Sequence, residues 1–428
     1  MKTKISSSHL TTGMFVADLD RPWLDTPFLL QGFQIENDEH LTQLQQYCQY
    51  VVVDSDYSTS VAQAALLAHG EKITGKKSEP ASSFEDHFLE DGKFKLRPSF
   101  IPDDIKIKRF RDVTAVEAEL VPAREAYSRT AEVLTELIKD LSSDNSLAIQ
   151  EVEVVIHDLV ETMTRNPDAL MLVSRLRMEN EVVYQHGINV AIYLVALGRH
   201  LGLPKEMLER LGTIGLLLDI GKTRLPQELF QKKGSLTSEE FETVKNHVPI
   251  CLDILKGTPI LHPDVLEGIM QHHERENGSG YPAGLSRSEI GLFGRMAAIA
   301  DTFSALTNPR PYAEIFPAYD ALHILVNWSG EFYHAPIVEQ FIHAIGIFPV
   351  GSMVELSSGE VAVIISHNKV RRLKPRVLII SEQDKKPAKS PTTLDLLHQP
   401  ATYNPPLSIL RGLPTGAYGL NPREYYLV

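Results

Sequence analysis

The sequence predicts a mainly α protein, with a small N-terminal α+β domain ahead of a helical bundle and a small C-terminal β hairpin region behind it. Three observations carry this. Apolar residues recur at helical spacing from Val116 to about Phe348. Two short runs rich in β-branched and aromatic residues, Gly13-Met14-Phe15-Val16 and Tyr50-Val51-Val52-Val53, lie close to the N-terminus. After Phe348 the period changes to short alternating runs joined through Ser358-Gly359. At 428 residues the chain is long enough for two or three domains.

The organisation follows from these shifts. Residues 1–66 form an accessory α+β domain, with a helix over Asp38–Tyr47 that carries Leu41 and Leu44 on one side. The Trp23-Leu24-Asp25-Thr26-Pro27-Phe28 loop reads as an aromatic plug on its small core. Residues 67–115 are a charged linker, marked by Lys76-Lys77-Ser78-Glu79-Pro80 and Glu90-Asp91-Gly92-Lys93. Residues 116–348 are helical. Ser146 is placed to cap one helix, Asn166-Pro167 ends it, and Gly202 with Pro204 separates two more. Residues 349–428 form a β-containing extension with a hairpin over Met353–Leu356 and Val361–Ile365, then a Pro-, Lys- and Ser-rich tail from Ser381.

Composition excludes several classes. The chain has 42 Lys and Arg against 55 Asp and Glu, a formal charge of −13, which argues against a DNA-binding or anionic-membrane protein. Cys48 and Cys251 give no disulfide framework, in keeping with a reducing cytosol. With no signal-peptide pattern at Met1 and no apolar run of about 18 residues, the expectation is a cytoplasmic chain without membrane insertion.

The chemistry lies in the histidines. His186, His247, His272 and His273 fall in the helical part together with Asp219 and Asp301, and mixed imidazole and carboxylate ligands suit a divalent transition metal such as Fe, Mn or Zn. His200, His262, His323, His334 and His343 read as ordinary core or surface residues. The adjacent pair His272-His273 opens the string His272-His273-Glu274-Arg275-Glu276-Asn277-Gly278-Ser279-Gly280-Tyr281-Pro282.

That string resembles the signature of HD-GYP domains, a bacterial branch of the HD phosphohydrolases. Leu216–Lys222, Lys232–Glu240, His247, Ala300-Asp301 and Arg310-Pro311-Tyr312 are similar to its flanking pieces in order and spacing, and residues 1–66 resemble the domain of unknown function that often precedes it. The resemblance implies an HD-type helical bundle with a two- or three-metal centre that hydrolyses cyclic di-GMP or a related cyclic dinucleotide. Carried over, the metal ligands are His186, Asp219 as the bridge, His247, His272, His273 and Asp301. Asp219 and Lys222 carry the catalysis, Lys222 from beside the phosphate. Arg310, Arg275, Tyr281 and Lys222 are the substrate-binding set, Arg310 through its planar fork and Tyr281 at the pocket mouth.

Four departures accompany the match. The His-Asp pair after which the family is named is here Leu218-Asp219, and leucine cannot coordinate a metal. Ser304 stands where a second Asp is usual, Asn277 where the glycine loop has Asp, and Ala313 where a basic residue commonly follows Arg-Pro-Tyr. The expectation is a cyclic di-GMP signalling protein with fewer than two metal ions per chain and with hydrolysis to linear products weakened or lost. It would work through the dinucleotide and through signalling protein partners. A fully active metal-dependent phosphodiesterase and an HD-type hydrolase of another nucleotide are the alternatives.

Overall fold

The computed structural model describes residues 2–20, 33–35, 37–55, 58–59, 62, 71–72, 98–142, 149–176, 182–232, 234, 236–256, 261–308, 315–368, 371–400 and 402–425. The Trp23 loop, the Ser146 cap, Arg310 and Ala313 lie outside them. Two compact units divide the chain, Met1–Asp91 and Gly92–Val428.

Among the described residues, the first unit is a five-stranded antiparallel sheet with one α-helix, α1 (Asp38–Tyr47). Strands β1 (Lys2–Ser6), β2 (Phe15–Leu19), β3 (Phe33–Gln34), β4 (Tyr50–Asp54) and β5 (Glu71–Lys72) run in the order β3-β2-β4-β1-β5, with Ile5 opposite Val51. Strand β2 starts two residues later than the apolar run suggests, because the Met14 N–H donates to Thr11 O (3.3 Å) and closes a turn. Helix α1 (Asp38–Tyr47) is capped by Asn37, whose Oδ1 accepts from the His40 N–H (2.9 Å). Ile5, Met14, Val16, Ile35, Leu44, Val51 and Val53 fill the core between them.

In the second unit, residues 98–115 have no helix or strand but are tied to the bundle. Lys108 N–H donates to Gly202 O (2.7 Å), Val113 N–H to Arg165 O (3.0 Å), and Arg199 Nη2 to Asp112 Oδ1 (2.6 Å). The helices are α2 (Val116–Ser142), α3 (Ile149–Arg165), α4 (Pro167–Leu176), α5 (Val182–His200), α6 (Lys205–Leu217), α7 (Glu228–Gln231), α8 (Ser238–Lys245), α9 (His247–Leu255), α10 (Pro263–Gln271), α11 (Leu292–Thr307), α12 (Ala318–Asn327) and α13 (Ala335–Ile345). Every residue of α5 from Ile188 to Leu197 is buried, as is most of α11, so these two are the centre of the bundle. Tyr193 of α5, Phe303 of α11 and Phe341 of α13 meet edge to face, with ring centroids 5.1–6.3 Å apart. No helix among the described residues is long and apolar enough to cross a membrane.

The C-terminal hairpin is the middle of a five-stranded antiparallel sheet. Strands β6 (Met353–Leu356), β7 (Val361–Ser366), β8 (Arg376–Ser381), β9 (Pro387–Asp395) and β10 (Ile409–Leu413) run in the order β10-β6-β7-β8-β9. Part of the Pro-, Lys- and Ser-rich tail is therefore strand, paired to β8 with Val377 opposite Leu394. It is an edge strand, where proline is tolerated and exposed lysine blocks further pairing. The sheet is fastened to the bundle at Asp168, whose Oδ2 accepts from the His367 N–H (2.9 Å), and at Glu117, which pairs with Arg376 (2.8 Å).

Candidate metal centre

Close helix packing brings the first two residues together. A Cβ on Gly215 of α6 would lie 2.3 Å from the Ala191 nitrogen of α5, so these helices touch backbone to backbone and only glycine fits. That contact sets His186, near the start of α5, beside Asp219, just past the end of α6. The chain then makes a 3-10 turn over Ile220–Arg224 against the start of α9. A Cβ on Gly221 would lie 2.0 Å from His247 O, which leaves no room for a side chain. A capping box starts α8, with Thr237 N–H donating to Glu240 Oε2 (2.7 Å) and Glu240 N–H to Thr237 Oγ1 (3.2 Å). Asn246 ends α8 and begins α9, so the first residue of α9 is His247. His272 and His273 follow α10, and Asp301 lies on α11.

Three imidazoles converge. The ring nitrogens of His247, His272 and His273 lie within 4.8 Å of one another. His247 Nδ1–H donates to Val244 O (2.7 Å) and His272 Nδ1–H to Ile269 O (2.5 Å), which fixes both tautomers and leaves each Nε2 a lone pair. These two Nε2 atoms face each other at 3.4 Å, an arrangement that calls for a shared cation. Burial pushes the His247 imidazole down to about 4 and also lowers His272 and His273, so all three are neutral at pH 7, the form that binds metal.

Asp219 links this cluster to a second one. Its Oδ1 is buried, has no hydrogen-bond partner among the described residues, and lies 3.5 Å from His247 Nε2. Its Oδ2 accepts from Lys222 Nζ (2.5 Å) and is 3.7 Å from His186 Nε2. Burial alone would raise this carboxyl, but Lys222 and the surrounding imidazoles outweigh it and hold the group below the usual carboxylate range. Three neutral imidazoles and one ionised carboxylate oxygen without a partner are a suitable donor set for one divalent transition metal.

The second cluster is differently built. His186 Nε2–H donates to Asp301 Oδ1 (2.7 Å), and Ser304 Oγ lies 3.0 Å from His186 Nδ1. Asn308 Nδ2–H donates to Ser304 Oγ (2.9 Å) and to Ser304 O (2.8 Å). Leu218 is fully buried and offers no ligand atom.

The loop after His273 is stabilised by its own residues. Glu274, 2% exposed, accepts from the N–H groups of Ala283 (2.8 Å) and Leu285 (2.9 Å). Asn277 Oδ1 accepts from the Ser279 N–H (3.0 Å) and hydroxyl (2.7 Å), so this departure from the family pattern shapes the turn. Tyr281 stacks on His273 with centroids 4.6 Å apart. Arg275 turns back on the backbone: its Nη1 donates to Glu274 O (2.8 Å) and His272 O (3.3 Å), and its guanidinium lies over the Tyr333 ring. Of the residues singled out in the sequence, His186, Asp219, Lys222, His247, His272, His273, Tyr281 and Asp301 come together; Arg275 braces the loop beside them. The role of Ser304 is visible only in three dimensions, because it depends on His186 from another part of the fold, and that of Glu274 depends on how its own loop folds back. His262, read as ordinary, caps α10 by accepting from the Asp264 N–H (3.2 Å).

Residues 171–336 match the family model of the HD domain, and residues 2–152 match that of a domain of unknown function, DUF3391. The chain is 28% identical over 381 residues to the cyclic di-GMP phosphodiesterase PA4108 of Pseudomonas aeruginosa, covering 89% of this chain and 85% of that protein. It is 36% identical over 148 residues to a cyclic di-GMP phosphodiesterase of Thermotoga maritima, covering 34% of this chain and 40% of that one. It is 34% identical over 160 residues to the 3'3'-cGAMP-specific phosphodiesterase 1 of Vibrio cholerae, covering 37% of this chain and 36% of that one. Among solved structures, the HDG"Y"P protein Bd1817 of Bdellovibrio bacteriovorus aligns with a TM-score of 0.43 at 16% identity, over 80% of this chain and 98% of that one. With the signature string around a three-histidine cluster and both family models in chain order, the chain carries an HD domain behind an N-terminal DUF3391 domain.

Proposed function

We propose that this chain is a cyclic di-GMP signalling protein that holds a single divalent transition metal on His247, His272, His273 and Asp219, with hydrolysis weakened or lost. The observation that carries the reading is an asymmetry. Two imidazole lone pairs face each other beside an unpartnered carboxylate oxygen on one side, whereas on the other His186 donates Nε2–H to Asp301 and Leu218 has no donor atom. When bound, the metal would supply Lewis-acid stabilisation to a phosphodiester oxygen. The remaining chemistry belongs to the side chains. Lys222, held against Asp219, offers a positive charge to a phosphate, needed in a chain of formal charge −13. Burial raises the Tyr281 phenol, which therefore keeps its proton and remains a hydrogen-bond donor. Arg310 would grip a phosphate or guanine edge with its planar fork.

Elemental analysis of the purified protein, run beside a cyclic di-GMP hydrolysis assay, tests this reading. About one ion per chain, tight dinucleotide binding and slow or absent turnover are expected. Two ions per chain with brisk turnover abolished by His272→Ala would overturn it and favour the fully active enzyme. The Vibrio relative named for 3'3'-cGAMP supports a second reading, another cyclic dinucleotide as ligand, so the assay includes that nucleotide.

A further inference from the structure

We propose that Phe241 and Lys245 of α8, together with Tyr281, form a stacking wall that receives a purine base of the bound dinucleotide. The inference rests on the cyclic-dinucleotide reading above and names the part of the surface that would recognise the base.

Phe241 is 44% exposed, on a helix with no buried residue. One exposed aromatic side chain is ordinary on a protein surface. Its surroundings are not. Lys245, one turn further along the same face, puts Nζ 4.9 Å from the Phe241 ring centroid and 5.6 Å from that of Tyr281. The Phe241 and Tyr281 rings meet edge to face at 6.2 Å, and Tyr281 stacks on the metal-site residue His273 at 4.6 Å. A line of rings thus leads from solvent to the candidate metal centre, with a cation beside its outer two members.

Such a wall suits a purine. Aromatic faces stack with any base, and more strongly with a larger one. The acceptor edge of guanine, N7 and O6, matches an ammonium donor. Lys245 is paired with Glu242 at 2.6 Å, but Glu242 is largely exposed, and a solvated pair of this kind is weak enough for the ammonium to turn to a ligand. The wall is also held in place: the capping box fixes the start of α8, and Lys232 pairs with its Glu240 at 2.5 Å. A base stacked there would need no rearrangement of the helix.

Calorimetry on the metal-loaded full chain tests the proposal, with cyclic di-GMP as the purine ligand and cyclic di-UMP as the pyrimidine one. Phe241→Ala should weaken cyclic di-GMP binding about 10- to 100-fold, with a much smaller effect on cyclic di-UMP. Phe241→Trp should keep or improve the affinity, and Lys245→Met should weaken it about tenfold. Metal content and melting temperature should match wild type in all three variants. If Phe241→Ala binds cyclic di-GMP as wild type does, the wall is wrong and the cyclic-dinucleotide reading stands. Loss of metal in the Phe241 variants, with both nucleotides weakened equally, would make α8 a support for His247 and also overturn the wall. A wild-type protein that binds neither nucleotide overturns both readings at once.

Discussion

His186 and Asp301 are joined directly, Nε2 to Oδ1 at 2.7 Å, and the direction of that bond governs what the site can bind. Burial works to raise the Asp301 carboxyl, but His186 and His272 outweigh it and hold the group ionised, so it accepts from Nε2. Ser304 Oγ, which accepts from Asn308, lies 3.0 Å from His186 Nδ1. A hydroxyl there gives Nδ1 no carboxylate partner, so Ser304 does less than an aspartate would to turn the His186 lone pair toward a metal.

This gives a graded expectation for metal content. Leu218→His alone should add well under one ion per chain, because His186 is still engaged with Asp301 through Nε2 and has only a hydroxyl beside Nδ1. Leu218→His with Ser304→Asp should approach two ions, since an aspartate at 304 accepts from Nδ1–H and turns the lone pair to Nε2. If hydrolysis depends on the second ion, the double variant should also gain turnover by orders of magnitude. Plasma mass spectrometry and a cyclic di-GMP assay on the same samples check both; equal metal content in the single and double variants would count against the role given to Ser304.

The histidines give the metal-free protein a pH dependence whose sign can be worked out. Burial lowers His247 from 6.5 to about 4 in the folded state. Above pH 6.5 neither the folded nor the unfolded form is protonated there, and the stability is fully present. Between pH 6.5 and about 4 the unfolded chain takes up the proton first, so stability is lost as pH falls, by roughly 3 kcal/mol in all. Denaturant titrations across this window should show that loss, and His247→Asn should reduce it. Metal affinity should hold nearly constant down to about pH 5, because the folded-state imidazole is still neutral there.

Gly221→Ala should disturb the centre without altering any ligand. Its Cβ would fall 2.0 Å from His247 O, so the 3-10 turn and the start of α9 must separate. A fall in melting temperature and in metal content together is the expected result. An unchanged metal content would mean that the turn can shift without moving His247.

Glu274→Ala removes the carboxylate that accepts from both Ala283 and Leu285 and leaves those two N–H groups unsatisfied. A cost of about 2–3 kcal/mol follows for lost charge-assisted bonds. The loop carrying Tyr281 should loosen, seen as faster amide exchange from Gly278 to Leu285.

Much of the centre was legible in the chain because its signals are local. The adjacent pair His272-His273 followed by a glycine loop is a contiguous string, and Asp219, His247 and Asp301 stand at recognisable distances from it. Ser304 was legible only as a missing carboxylate, since its effect comes from Asn308 and from His186, more than a hundred residues away. Phe241 gave no signal: one aromatic residue in a short polar helix has no periodicity to mark it. Strand β9 was obscured for a different reason. Its proline and lysine oppose strand formation by propensity, and pairing with β8 overrides that because an edge needs partners on one side only.

Asn246 belongs to two helices at once, closing α8 and opening α9. No loop stands between the two helices, so His247 takes its position directly from the end of α8 and has no slack of its own.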